Sequence, residues 1–295
     1  MKILMNLLLW TTEMADDMGP VVEELKQTGF DGVEVPVFST DLAKWERWGR
    51  RLDDLGLSRT AVTFCGADDN PISPSRAVRQ RAVDRLRRLA DGSHALGATI
   101  LSGPIHSALN VFTGHPATAE EWGWAVEGIR QVAQHAAGCG VTLGIESLNR
   151  FENYLLTSTE ETLRFVRDVG HPHCGVMFDT FHANIEEKNI ADAFRQCAAQ
   201  VVHIQVSEND RSTPGRGHVP WAAFFDALRE TGYAGSLSIE AFGRRQPDLA
   251  AATKIWRRMF ESEAQLSRDG LAFLRRQVSA HFQPQPEKAV IPSPS

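Results

Sequence analysis

Four acidic or amide side chains recur along the second half of the chain, each at or near the end of a short apolar run. They are Glu146 in "VTLGIES", Asp179 in "CGVMFDT", Gln205 in "VVHIQVS" and Glu240 in "SLSIEAF", separated by 33, 26 and 35 residues. Side chains alternate along a strand, so Glu146 shares a face with Thr142 and Gly144, and Asp179 with Gly175 and Met177. Gln205 shares one with His203 and Ser207, and Glu240 with Ser236 and Ser238. Branched and aromatic residues such as Ile145, Phe178, Ile204 and Ile239 take the opposite face. Three carboxylates gathered in one cleft repel one another and are costly to desolvate, and a divalent cation relieves both penalties. Oxygen donors without a thiolate suit a hard ion such as magnesium or manganese. Carboxylates around such an ion can remove and return a proton on a carbon next to a carbonyl. Any one of these acids alone reads as well as a loop residue paired with an arginine. Their repetition at one strand position in four strands favours a site.

The elements that would hold them form a longer series. "KILMNLL", "GVEVPVF", "RTAVTF" and "ATILSG" precede the four runs above, and stretches with apolar residues at 3.6-residue spacing lie between, several closing on glycine. Eight strand-then-helix units predict an α/β fold with parallel strands, a (β/α)8 TIM barrel, in a single domain over residues 1–281. An open doubly wound sheet is the alternative, but no G-x-G-x-x-G follows the first run. A last long helix is expected over about 247–277, then a flexible proline-rich tail over 282–295, ending "QPQPEKAVIPSPS". In such a barrel the C-terminal strand ends carry the chemistry.

Composition narrows the partners. The net charge of −6 and the lack of a Lys/Arg run disfavour nucleic acid. No stretch approaches the roughly 20 apolar residues of a membrane span. The four cysteines fit no C-x-x-C pair and no disulfide framework, which predicts reduced thiols and a cytoplasmic location.

"LGIESLNRFENYLLTS", "VMFDTFHANIEE", "ENDRSTPGRGHVPW" and "SIEAF" resemble the xylose-isomerase-like barrel superfamily, and within it the ketose 3-epimerases of the D-tagatose and D-psicose group. The resemblance spans nearly the whole chain and is strongest over 120–242. It implies that Glu146 and Glu240 are both metal ligands and the proton-exchanging catalytic pair, with Asp179 a further ligand. It implies that Glu152, His182 and Arg211 hold the carbonyl and terminal hydroxyl end of a sugar. The implied cofactor is a divalent metal, manganese first, magnesium or cobalt as alternatives. The implied reaction is proton abstraction next to a carbonyl through a metal-stabilised enediolate. A homo-oligomer acting on a small-molecule sugar is expected.

The chain departs from the resemblance at Gln205, where the epimerases have a metal-binding histidine. An amide oxygen can ligate, and Gln205 is the expected fourth ligand. His203 is the alternative, though it lies about 6.6 Å deeper along the strand. A second departure is "SGPIHSALNVFTG", where His106 is a candidate acid/base or hydroxyl ligand, or else a loop histidine bonded to backbone. Trp10 and Glu34 are candidate pocket residues or packing. These departures keep a second activity in view: a 3-keto-glycoside lyase, like the barrel subunit of C-glycoside deglycosidases, with a separate small β subunit as partner. A non-catalytic sugar-binding barrel is the reading from another class.

Overall fold

The computed structural model describes residues 1–282. Eight parallel strands close into one barrel in sequence order. They are β1 (Ile3–Asn6), β2 (Gly32–Pro36), β3 (Ser58–Val62), β4 (Ile100–Gly103), β5 (Thr142–Glu146), β6 (Cys174–Asp179), β7 (Val201–Val206) and β8 (Leu237–Ile239). Each coincides with one of the eight runs expected from sequence, β3 starting one residue earlier at Ser58. The outer layer is α1 (Gly19–Thr28), α2 (Leu42–Asp54), α3 (Arg76–Leu96), α4 (Ala119–Gly138), α5 (Thr159–Val169), α6 (Thr180–Glu186), α7 (Ile190–Cys197), α8 (Trp221–Glu230), α9 (Pro247–Ala252) and α10 (Glu263–Phe282).

Local chemistry sets the helix ends. Thr118 caps α4 in a reciprocal box with Glu121, and Ser158 caps α5 through the Glu161 N–H. Gly97 and Gly170 stop α3 and α5 in the left-handed conformation, which costs glycine no Cβ clash. Outward strand residues bury against the helices, and Phe178 of β6 packs on Phe194 and Phe224 at centroid distances of 5.3 and 5.7 Å. Truncating such a ring to alanine costs about 3–5 kcal/mol.

The C-terminal region differs from expectation. The helix expected over about 247–277 is two helices, α9 and α10. Residues 253–262 between them turn back over the barrel mouth, with Lys254 left-handed. Ile255 is buried there against a small cluster with Leu8, Val62 and Phe242, a tertiary gain that outweighs continued helix. Of the tail expected over 282–295, Phe282 belongs to α10 and residues 283–295 lie outside the described residues.

Candidate active site

The register of the barrel sets the level of each polar side chain. Asp179 pairs with Gln205, and Gln205 with Ser238, while His203 pairs with Met177 one layer down. Glu146 ends β5, and Glu240 follows β8 directly, its N–H donating to Val206 O at 3.1 Å. All four side chains named first in the sequence reading are buried, at most 5% exposed. Asp179 also caps α6, its Oδ1 accepting the Phe181 N–H at 2.7 Å, so one oxygen is committed to the helix. Asp179 also lies against Glu240, an approach that two ionised carboxylates resist unless a proton or a cation comes between them.

The electrostatics follow. Burial raises the pKa of Glu146 well above the usual carboxylate range, and Glu240 and Asp179 push it further. Burial and Asp179 do the same to Glu240. Burial lifts Asp179 to about 7 even though Arg211 pulls the other way.

Arg211 is delivered by the loop after β7, itself in a left-handed backbone conformation (φ 57°). Its guanidinium stacks on Phe181 at 4.0 Å and on Phe242 at 4.9 Å, and bonds Glu152 through two nitrogens at 3.0 and 3.3 Å. His182 is the next member. Its Nδ1 accepts the Asn149 backbone N–H at 2.8 Å, and its Nε2 faces the Arg211 Nη2 donor at 3.0 Å. That Nε2 lies 3.5 Å from Glu146 and 3.7 Å from Asp179. Burial, then the Arg211 charge, hold the ring well below its usual pKa, so it stays neutral. Asn149 also donates to Glu152. The structure thus brings Glu146, Glu152, Asp179, His182, Gln205, Arg211 and Glu240 to one end of the barrel.

Sequence reasoning missed two supports. Asn149 orients both His182 and Glu152, and only its place inside "LNRFEN" hints at it. Glu208 is fully buried and accepts from the backbone of Asn209, Gly215 and Val219 and from Trp221 Nε1 at 2.7–3.1 Å, fixing the loop that carries Arg211.

Below the ring sits Glu34, fully buried in mid-strand rather than at a strand end. It accepts from Gln205 Nε2 at 2.8 Å and from His203 Nε2 at 2.6 Å. The histidine therefore faces Glu34. Gln205 Oε1 is buried without a protein donor, and Asp179 Oδ2 has no N–H or hydroxyl donor, only the Glu240 carboxyl beside Asp179. An orphaned buried acceptor beside mutually repelling carboxylates is what a hard divalent cation satisfies, so the donor set fits such an ion.

His106 does not join the ring. Its Nε2 donates to Glu146 O at 3.0 Å and its Nδ1 accepts from Ser107 at 2.9 Å, which leaves neither nitrogen for a sugar hydroxyl. Burial lowers its pKa to about 3 despite the bond to Glu146. The geometry matches the backbone-bonded loop histidine. Trp10 packs against the hydrophobic core, and Phe112 is 48% exposed. A second group of metal-type side chains, Asp91, His135 and Cys139, lies on α3 and the end of α4. There one Asp91 oxygen accepts from both His135 (2.7 Å) and Cys139 (3.3 Å), so the group is satisfied as it stands.

A closed parallel barrel thus gathers buried carboxylates, an amide, an arginine and a neutral histidine at one end. The chain belongs to the xylose isomerase-like TIM barrel family, whose model matches residues 22–277. It is similar to the D-psicose 3-epimerase of Ruminiclostridium cellulolyticum, 32% identical over 284 residues that cover 88% of this chain and 93% of the relative. It is similar to the L-ribulose 3-epimerase of Mesorhizobium japonicum, at 29% identity with 90% of each chain covered. A solved L-ribulose 3-epimerase structure superposes with a TM-score of 0.89 at 28% identity, covering 95% of each chain.

Proposed function

We propose that this protein is a divalent-metal-dependent ketose 3-epimerase, with Glu146 and Glu240 as its acid/base pair. The observation that carries the reading is the pair itself. They stand three strands apart around an eight-stranded ring, both buried, and both held in a range where they can carry a proton. One takes the proton from the sugar carbon beside the carbonyl, and the other returns one from the opposite face, inverting that centre. Arg211 and Glu152 together, with the neutral His182, are suited to bind the carbonyl and terminal hydroxyl end. The Asn149 and Glu208 networks hold those groups in place, so little reorganisation is needed on binding.

Glu146, Asp179, Gln205 and Glu240 would hold the cation. When bound, it supplies positive charge where negative charge develops on the substrate oxygens. Manganese is our assignment, supported by the all-oxygen donor set, with magnesium or cobalt as alternatives. The 3-epimerase names of the relatives favour epimerisation over the elimination of a keto-glycoside lyase. Exposed Phe151 and Trp256 at the barrel mouth support a homo-oligomer, and four free cysteines support a reducing, cytoplasmic setting. No helix among the described residues is long and apolar enough to cross a membrane.

A panel of free ketoses and 3-keto-glycosides, incubated with and without a chelator and resolved by chromatography, tests the proposal. Interconversion of C3 epimers that stops with the chelator is the expected result. Release of an aglycone without epimer formation would sink it.

A further inference from the structure

We infer that Glu34 is a positioning residue that fixes the Gln205 side-chain amide so that its oxygen, and not its nitrogen, is free for the cation. The inference rests on the reading above that Gln205 is a ligand.

An imidazole ligates through one lone pair, but an amide has two ends of opposite polarity. Its oxygen attracts a cation and its NH2 repels one, and an unrestrained amide exchanges the two by rotation. A glutamine in a metal site therefore needs something that chooses the end. Glu34 does this by accepting only. Its Oε2 takes the Gln205 Nε2 proton at 2.8 Å, and the reversed amide would set two acceptors against each other. Gln205 Oε1 is left buried without a protein donor, on a residue level with Asp179 in the strand register.

The Glu34 carboxylate cannot turn away. Oε1 is held by His203 at 2.6 Å, and Oε2 by Asn6 at 2.8 Å and Ser238 at 3.0 Å as well as by Gln205. Asn6, His203 and Ser238 all present N–H or O–H groups to this carboxylate, so both of its oxygens are used as acceptors. His203 thus acts two hydrogen bonds away from Gln205, as the clamp on the group that orients it.

Mn2+ affinity is measured on the chelator-stripped protein from the EPR signal of free Mn2+, with circular dichroism to confirm the fold. Glu34→Gln can donate as well as accept, so it no longer selects the amide orientation. Glu34→Asp keeps the charge but withdraws the acceptor, and it serves where Glu34→Gln does not fold. Both are expected to raise the Mn2+ dissociation constant about tenfold or more. In a Gln205→Glu background both side-chain oxygens are equivalent and no end needs choosing. There, Glu34→Gln is expected to leave affinity unchanged or tighten it.

Dissociation constants within about threefold of the unmodified protein in the Glu34 variants would overturn the inference alone. So would an equal loss from Glu34→Gln in both backgrounds, which would reduce its effect to charge. No Mn2+ binding by the unmodified protein would overturn the ligand set, and this inference with it.

Discussion

Arg211→Met removes the guanidinium but keeps an unbranched stem between Phe181 and Phe242. What is lost is the two-point ion pair with Glu152, at 3.0 and 3.3 Å between side chains only 3% and 6% exposed. A buried carboxylate deprived of its partner costs about 3–5 kcal/mol. At roughly 2–3 °C per kcal/mol for a chain of this size, the melting temperature should fall by about 6–15 °C. Glu152→Gln, by contrast, leaves an arginine that still feels Asp179 and Glu240, so it should cost less. The double variant removes both charges and should recover at least about 2 kcal/mol relative to the sum of the singles. The assay is thermal and urea unfolding of the four proteins with saturating Mn2+, so that the carboxylate ring keeps a counter-charge. Additivity within about 0.5 kcal/mol would refute the claim that Arg211 and Glu152 form one buried unit.

Other consequences can be measured independently. Glu146→Gln and Glu240→Gln should each lower turnover about 10²–10⁴-fold, while circular dichroism and bound metal largely persist; unchanged turnover in both would misplace the catalytic pair. Because burial holds protons on the three acids, a cation must displace them, so Mn2+ affinity should rise with pH. Asp179 alone, at about 7, accounts for about a tenfold gain between pH 6 and 8; calorimetric titrations showing flat or falling affinity would contradict this. His182 and His106, whose pKa values are lowered, stabilise the fold above the unfolded histidine range and lose that contribution as pH falls. Glu208→Ala strands its four donors and should cost about 3 kcal/mol, with a raised KM because Arg211 rides on that loop; an unchanged KM would separate the loop from binding.

The strand ends were legible because alternation along a barrel strand leaves few choices. Once "LGIES" and "VMFD" are strands, Glu146 and Asp179 must face the lumen. The relative levels of Gln205 and His203 needed register: Gln205 pairs with Asp179, and His203 with Met177 one layer down. Glu34 was legible only as a pocket candidate. Its hydrogen-bonding donors come from β1, β3, β4, β7 and β8, residues 26 to 204 positions away, and no local pattern announces that convergence. The break between α9 and α10 was hidden for a similar reason, since Ile255 is drawn into a cluster assembled from distant strands and loops. His106 was open to two readings in sequence. A histidine after a strand invites a catalytic reading, but the carbonyl of Glu146 had already engaged it.

Proton NMR of a ketose incubated with the Mn2+-loaded enzyme in deuterated water, quenched and stripped of metal before acquisition, tests the central claim most directly. Two glutamates working on opposite faces of one carbon predict loss of the C3 proton signal, in recovered substrate and in the new C3 epimer alike. Turnover that leaves the C3 proton in place, or exchanges only at C1, would contradict the account.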